Sequence, residues 1–217
     1  MSRRVAAFDF DGTVSRRDTL VPFLARAAGS ARFASVAARL GLGGARGTVN
    51  LRNRDHVKEQ MIEMLLAGRS ADELDALGAE YATELVASRL RPFMVERVRA
   101  HADAGFETVF VSASMVQYLR PVAATLGVDH VIAVETEVAD GRLTGALVGP
   151  NVRAEEKVVR LRGWLAGTGT TDVELWSYGN TSGDHALLDA AQHAFWLGKA
   201  SRVPAGCTVL HPDTPFP

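Results

Sequence analysis

Residues 8–13, FDFDGT, follow a short apolar run and place two acids where a buried strand should end. Alternation along a strand puts Asp9 and Asp11 on one side and Phe8 and Phe10 on the other. Two close carboxylates repel each other, so the pair needs a cation or a shared proton. A divalent ion with oxygen ligands meets that need, and Mg²⁺ is the usual choice at phosphate sites. The alternative is an ordinary Asp-Gly turn with two solvated acids.

Strand and helix patterns alternate along most of the chain. Apolar runs predict buried strands at 4–10, 107–114, 173–180 and 193–199. Helical patterns follow or separate these runs at 92–104, 115–126, 153–166 and 184–191. This alternation is typical of an α/β fold with a doubly wound parallel sheet. Residues 131–149 alternate around Asp140-Gly141 instead, which predicts a β-hairpin.

Residues 18–90 interrupt this rhythm and predict a mostly helical insertion. Its helical stretches are 18–28, 30–40, 54–67 and 71–88, with a Gly-rich break at 41–50. We therefore predict an α/β core from residues 1–17 and 91–217, with the insertion at 18–90. Residues 16–58 carry nine Lys or Arg against two Asp. This excess indicates either a solvated helical surface or a field that attracts anionic substrates.

Composition excludes several classes of protein. The chain has 217 residues, 47% apolar and 23% charged, which is ordinary globular usage. Its net charge of −1 gives no indication of nucleic-acid binding, and its single cysteine excludes an intrachain disulfide. No run approaches the roughly 18 apolar residues that a membrane span needs, so we expect no stable membrane insertion. We expect a cytoplasmic protein, monomeric or homodimeric.

Polar residues stand at the carboxyl ends of the predicted strands, where open parallel sheets bind ligands. The second strand ends in Ser112 and Ser114, and the third leads to Asn180 and Asp184. Each has a structural explanation by itself, since Asn180 could cap a turn and Asp184 a helix. Lys157, early in the helix at 153–166, could simply face solvent. Their joint occurrence with the two acids of the first strand predicts a ligand site at one edge of the sheet.

These residues resemble the four motifs of the haloacid dehalogenase (HAD) superfamily, in its phosphoserine-phosphatase-like branch. DFDGTVS resembles the first motif, VFVSAS the second, and Lys157 the lysine of the third. YGNTSGD resembles the fourth motif, which usually has Asp in place of Asn180. The insertion at 18–90 resembles the small cap of that branch. The resemblance implies a Rossmann-like, doubly wound parallel sheet with an inserted helical cap domain.

The resemblance also implies roles for the motif residues. Asp9 would be the nucleophile that forms an aspartyl-phosphate, and Asp11 would be the general acid and base. Mg²⁺ would be held by Asp9, the main-chain carbonyl of Asp11 and Asn180. Asp184 would be either a direct ligand or a residue that contacts the direct ligands. Lys157 would neutralise charge on the nucleophile and the phosphoryl group.

Substrate-binding residues follow from the same resemblance. Ser112 and the main-chain N–H groups after it would hold the phosphoryl oxygens, and Asp18 falls where the branch binds a substrate amino group. The cap arginine that binds a substrate carboxylate aligns near Ile62, with Lys58 one turn earlier and Arg52 and Arg54 further back. The implied substrate-binding set is Gly12, Thr13, Asp18, Arg54, Lys58, Ser112 and Ala113.

The implied activity is Mg²⁺-dependent hydrolysis of a small phosphorylated metabolite, either a phosphoserine-like compound or another small phosphomonoester. The second acid, Asp11, argues against a dehalogenase, which does not need to protonate an alkoxide. One alternative is a phosphotransferase or phosphomutase that uses the same aspartyl-phosphate. The other is a non-catalytic module that binds a phosphate ligand, against which the complete set of motif residues speaks.

Overall fold

Six parallel strands form the central sheet of the computed structural model, which describes residues 3–42, 54–167 and 172–216. The strands are β1 (Arg3–Phe8), β2 (Glu107–Met115), β3 (His130–Val134), β6 (Val173–Gly179), β7 (His193–Trp196) and β8 (Thr208–Val209). Their spatial order is β3-β2-β1-β6-β7-β8. The central strand β1 is fully buried over its last four residues, as expected for a strand covered on both faces.

Helices cover this sheet and complete the predicted doubly wound fold. They are α5 (Pro92–Asp103), α6 (Val116–Leu126), α7 (Glu155–Gly167) and α8 (His185–Asp189). The register brings Phe8 of β1 level with Phe110 of β2 and Tyr178 of β6. The residues that follow these three positions therefore emerge at the same edge of the sheet. No helix in the described parts of the chain has the length and apolar character to cross a membrane.

The described residues of the insertion after β1 form four helices, as the sequence predicts. They are α1 (Leu20–Ala28), α2 (Ser30–Arg39), α3 (Arg54–Leu66) and α4 (Ala71–Ser88). Most of the Gly-rich break predicted at 41–50 lies outside the described residues. The two segments that join the insertion to the core run side by side, since Arg16 N donates to Arg89 O and Arg91 N to Val14 O, both at 2.9 Å. The domain limits at 17/18 and 90/91 remain a prediction.

The hairpin predicted at 131–149 is correct only for its second part. β4 (Thr136–Ala139) and β5 (Arg142–Leu147) pair antiparallel around Asp140 and Gly141, whose φ angles are 50° and 73°. Residues 130–134 instead form the parallel edge strand β3. The alternating pattern hides this change, because a short edge strand and a hairpin strand have similar residue patterns.

The hairpin forms main-chain hydrogen bonds with the insertion, although its residues lie in the range predicted for the core. Gly68 N donates to Leu143 O at 2.8 Å, and Leu143 N donates to Arg69 O at 2.9 Å. Ala71 N donates to Gly141 O at 3.0 Å, just where α4 begins. The hairpin therefore fixes the turn between α3 and α4, and it links the insertion to the chain that leads into α7.

Candidate active site

A cavity of about 1200 Å³ opens where the carboxyl edge of the sheet faces the helical insertion. It brings together most of the residues that the sequence predicts for the site: Asp9, Asp11, Gly12, Asp18, Lys58, Ser112, Ala113, Lys157, Asn180 and Asp184. Thr13 is fully buried and supports Asp9 from the side. The side chain of Arg54 lies outside the described part of the structure.

A buried lysine joins two carboxylates at the floor of this cavity. Lys157 Nζ lies 2.6 Å from Asp9 Oδ1 and 2.6 Å from Asp184 Oδ1, and the lysine is only 2% exposed. Burial by itself would lower the pKa of Lys157, but the charges of Asp9 and Asp184 outweigh it and raise the pKa. Lys157 is therefore a fixed positive charge beside the first carboxylate of FDFDGT.

Asp9 leaves the end of β1 with both carboxylate oxygens engaged. Oδ1 accepts from Lys157, and Oδ2 accepts from Thr13 Oγ1 at 2.9 Å. The main-chain N–H of Asp9 donates to Tyr178 O at 2.9 Å, which continues the pairing of β1 with β6. Burial and the nearby charge of Asp184 raise the pKa of Asp9, against the lowering effect of Lys157. The result is a desolvated carboxylate held in one orientation.

Asp11 is held by three donors from two different parts of the chain. Oδ1 accepts from Thr19 N at 2.9 Å and from Thr19 Oγ1 at 2.6 Å, while Oδ2 accepts from Ser114 Oγ at 2.5 Å. Burial and the charge of Asp18 raise the pKa of Asp11 to about 6, and these hydrogen bonds oppose the rise. A carboxyl with such a pKa can give and take a proton near neutral pH.

Asp184 shapes the loop that follows β6. Its Oδ1 accepts from Lys157, and its Oδ2 accepts from Asn180 N at 3.1 Å, Thr181 N at 2.9 Å and Thr181 Oγ1 at 3.0 Å. Hydrogen bonds and the charge of Lys157 overcome the effect of burial and lower the pKa of Asp184. The sequence leaves two roles open for Asp184. These contacts favour a role in orienting the loop and Lys157 over a role as a direct metal ligand.

Asn180 presents an oxygen that lacks a partner. Its Oδ1 is buried, and no described residue donates a hydrogen bond to it. Gly12 makes room for this side chain, since a Cβ on Gly12 would lie 2.1 Å from Asn180 Nδ2 and the φ of Gly12 is +80°. An oxygen buried without a donor is a costly arrangement unless a cation or a ligand completes it.

The oxygen atoms at this edge suit a hard divalent cation. Among the described residues, no three His, Cys, Asp or Glu side chains cluster so that they could hold a metal by themselves. A metal here would depend on the carboxylate of Asp9, the main-chain carbonyl of Asp11 and the amide oxygen of Asn180. All three are oxygen donors of the kind that Mg²⁺ takes.

Lys58 reaches from α3 to the end of β2, next to Ser112. Its Nζ donates to Ala113 O and, at 2.5 Å, to Asn151 Oδ1. Asn151 Nδ2 in turn donates to Asp55 Oδ1 at 2.6 Å, and Arg153 lies 3.6 Å from the other oxygen of Asp55. Burial lowers the pKa of Lys58 to about 8, against the charge of Asp11. The predicted substrate residue Lys58 thus also joins the insertion to the core.

Two further predicted positions differ in what they can reach. Asp18 lines the cavity, and its Oδ2 accepts from Val21 N at 3.0 Å. Ile62, at the position where the phosphoserine-type arginine aligns, is fully buried among apolar residues and cannot contact a substrate.

Sequence reasoning missed several residues that the structure places at the site. They are Arg16, Arg17, Thr19, Asp55, Arg91, Asn151 and Arg153. Ser114 was placed at the strand end beside Ser112 but given no role, although it lies two residues after Ser112 and so on the same side of the strand. Asn151 and Arg153 carried no signal, since only the fold brings them to α3.

Comparison with known proteins identifies the family of this chain. The sequence model of the haloacid dehalogenase-like hydrolase family matches residues 6–189. Protein CicA of Caulobacter vibrioides is 34% identical over 195 residues, which cover 86% of this chain and 82% of that protein. Histidinol-phosphatase of Neisseria meningitidis is 34% identical over 117 residues, 54% of this chain and 51% of that one.

A solved structure supports the fold. A phospho-aspartyl intermediate analogue of phosphoserine phosphatase superimposes with a TM-score of 0.62 at 19% identity, over 92% of this chain and 88% of that one. The family match runs from β1 to the end of α8 and so includes every strand end that builds the cavity. The chain therefore belongs to the haloacid dehalogenase-like hydrolase family, and within it to the phosphatases.

Proposed function

We propose that this phosphatase hydrolyses a small phosphomonoester through an aspartyl-phosphate formed on Asp9. One observation carries the proposal: the Asp9 carboxylate lies at the cavity floor, 2.6 Å from a buried lysine, with a second carboxyl two residues further on. A nucleophile, a fixed cation and a group able to exchange a proton are thus combined in one cavity.

In the first step, a carboxylate oxygen of Asp9 attacks phosphorus and the bond from phosphorus to the alcohol oxygen breaks. The alcohol oxygen takes the proton of Asp11 and leaves as the neutral alcohol. Ser112, almost fully buried at the end of β2, and the main chain after it are placed to hold the phosphoryl oxygens. Lys157 offsets the negative charge that accumulates between Asp9 and the phosphoryl group.

In the second step, water attacks the phosphorus of the aspartyl-phosphate. Asp11, now ionised, takes a proton from that water as the bond from phosphorus to Asp9 breaks. Inorganic phosphate leaves, Asp9 is again a carboxylate, and Asp11 again carries a proton. The same side chain is therefore acid in one step and base in the next.

We further propose that the reaction depends on Mg²⁺ held by Asp9, the carbonyl of Asp11 and Asn180. Bound there, the ion would offset the charge between the nucleophile and the phosphoryl group. The unpartnered Oδ1 of Asn180 and the close approach that Gly12 permits support this assignment. Asn180 supplies one negative charge fewer than an Asp at the same place, so the site should bind Mg²⁺ weakly for its family.

Metal dependence is testable with the chain as it stands. We expect exhaustive chelation to stop hydrolysis of p-nitrophenyl phosphate and Mg²⁺ to restore it. Asn180→Asp should tighten Mg²⁺ binding by about tenfold in calorimetry, since an added charge in a partly buried site is worth on the order of 1 kcal/mol or more. Full activity after chelation would contradict the mechanism, and an unchanged titration would remove Asn180 from the ligands.

The names of the relatives and the residues of the cavity wall support a proposal for the substrate class. Histidinol phosphate and phosphoserine are both phosphomonoesters of an amino alcohol. Asp18 lines the cavity and offers a carboxylate to such an amino group, while Arg16, Arg17 and Arg91 line it as well. We propose a phosphorylated amino alcohol whose leaving group carries a further anionic group. The buried Ile62 argues against a carboxylate bound as in the phosphoserine type.

Recognition of the amino group can be isolated with two nearly isosteric substrates. We expect Asp18→Asn to raise KM for phosphoethanolamine by about tenfold, and for 2-hydroxyethyl phosphate by about twofold or less, because only the former carries a charge for Asp18 to meet. Asp75→Asn, an exposed acid on α4 outside the cavity, controls for the general loss of a negative charge. Equal effects of Asp18→Asn on both substrates would show that Asp18 does not read the amino group.

A further inference from the structure

Four hydroxyl-bearing residues surround the carboxyl of Asp11, and we call Thr19, Tyr81, Ser114 and Tyr118 the hydroxyl cluster. Ser114 Oγ lies 2.5 Å from one carboxyl oxygen and Thr19 Oγ1 lies 2.6 Å from the other. Thr19 Oγ1 also lies 3.0 Å from the hydroxyl of Tyr118, and the hydroxyl of Tyr81 donates to Thr19 O at 3.1 Å. The cluster therefore contacts the acid on both of its oxygens.

The directions of these hydrogen bonds follow from the number of protons. In its ionised form the carboxylate of Asp11 can only accept, so the one hydroxyl proton of Thr19 then points to it. The hydroxyl of Tyr118 contacts both Thr19 and Ser114, so it must be the donor in these contacts. Tyr118 thus orients the two residues that fix the carboxylate.

Packing leaves these side chains little freedom. Ser114 and Tyr118 are fully buried, and Thr19 is 2% exposed. The rings of Tyr81 and Tyr118 meet edge to face with their centroids 5.4 Å apart, and the ring centroids of Phe23 and Tyr118 are 4.9 Å apart. A hydroxyl held in such a site loses little entropy when it forms a hydrogen bond, so it can orient a partner precisely.

The cluster also spans the two parts of the fold. Ser114 belongs to β2 and Tyr118 to α6 of the core, whereas Thr19 directly precedes α1 and Tyr81 lies on α4 of the insertion. Ser114 N donates to Ser112 Oγ at 3.1 Å, so the same strand end orients the predicted phosphoryl-binding hydroxyl. Ser112 and Ser114 thus serve two different groups of the site.

We propose that Ser114 is the positioning residue for Asp11, and that Tyr118 also helps to hold Asp11, through Thr19. This inference rests on the proposed function, in which Asp11 protonates the leaving alcohol. Without Ser114, the Asp11 carboxyl keeps only its Thr19 contacts and can turn about them, so its proton is no longer held toward the leaving oxygen. The loss should depend on how much the leaving group needs that proton.

The test compares leaving groups in kcat/KM, which reports only the steps up to the first irreversible one. We expect Ser114→Ala to lower kcat/KM for alkyl phosphates by about tenfold, as part of the 10²- to 10⁴-fold that a general acid contributes. For p-nitrophenyl phosphate, whose leaving group departs without a proton, we expect about a twofold change or less. In an Asp11→Asn background, Ser114→Ala should have no further effect, because a positioning residue acts only through its partner.

Ser177→Ala is the matched control. Ser177 lies on β6, on the far side of β1 from the strand of Ser114, is fully buried, and its hydroxyl has no partner among the described residues. It should leave both kinds of substrate unaffected. If Ser114→Ala does not fold, Tyr118→Phe tests the same inference. We then expect a smaller loss of kcat/KM that is confined to alkyl phosphates.

Two outcomes would overturn the inference, and they differ from a failure of the proposed function. An equal loss on alkyl and aryl phosphates, or an unchanged loss in the Asp11→Asn background, would show that Ser114 serves only the fold. A wild-type chain that hydrolyses no phosphomonoester, p-nitrophenyl phosphate included, would instead remove the proposed function itself.

Discussion

Asp9→Asn should abolish turnover while the fold persists. Asn is nearly isosteric with Asp, but its amide cannot form an acyl phosphate. We expect kcat for p-nitrophenyl phosphate to fall by at least about 10³-fold, as is usual when a covalent nucleophile is removed. Circular dichroism should be unchanged, since the amide oxygen can still accept from Lys157 or Thr13.

A surface substitution of the same type gives the control for this result. Asp189→Asn, at the exposed end of α8, removes the same charge outside the cavity and should leave kcat within about twofold, as most surface changes do. If Asp9→Asn retained more than about a tenth of the wild-type rate, Asp9 would not be the nucleophile.

Lys157→Met should cost both activity and stability. The substitution leaves Asp9 and Asp184 buried beside each other without the cation that lies 2.6 Å from each. Breaking a buried ion pair by removing one partner typically costs about 3–5 kcal/mol, and we expect a loss of that size in the free energy of unfolding by urea. Turnover should fall with it, because among the described residues only Lys157 pairs with both carboxylates.

Arg160→Met on the same helix separates this effect from the loss of any basic residue of α7. Arg160 pairs with Glu156 at 2.9 Å and donates to Val148 O and Pro150 O, but its side chain is partly exposed, so its removal should cost clearly less than that of Lys157. Equal losses of stability for the two variants would show that Lys157 is not the centre of a buried charge network.

The sheet could be predicted wherever a strand is long and buried on both faces. β1, β2 and β6 have near-continuous apolar runs that end in polar residues, and the structure confirms all three. β3 was hidden because its five residues merge with the alternation of the hairpin, and β8 has only two residues. Short edge strands depend on the neighbours that they pair with, and no local pattern encodes those neighbours.

The site was predictable as far as its residues stand at strand ends. Asp9, Ser112 and Asn180 lie at the same edge because the register of three parallel strands brings them there. The contact of Lys58 with Asn151 joins residues 93 positions apart, so it depends on how the insertion packs on the core. Lys157 was expected near the nucleophile, but its equal contact with Asp184 follows only from the loop after β6.

The stereochemical course at phosphorus tests the central claim most directly. A phosphorothioate monoester made chiral with oxygen isotopes would be hydrolysed in water of the remaining isotope, and the configuration of the released thiophosphate determined. An aspartyl-phosphate requires two in-line displacements, and each of them inverts the configuration at phosphorus. The account therefore predicts net retention of configuration. Net inversion would mean that water attacks the substrate directly, and it would contradict a covalent intermediate on Asp9.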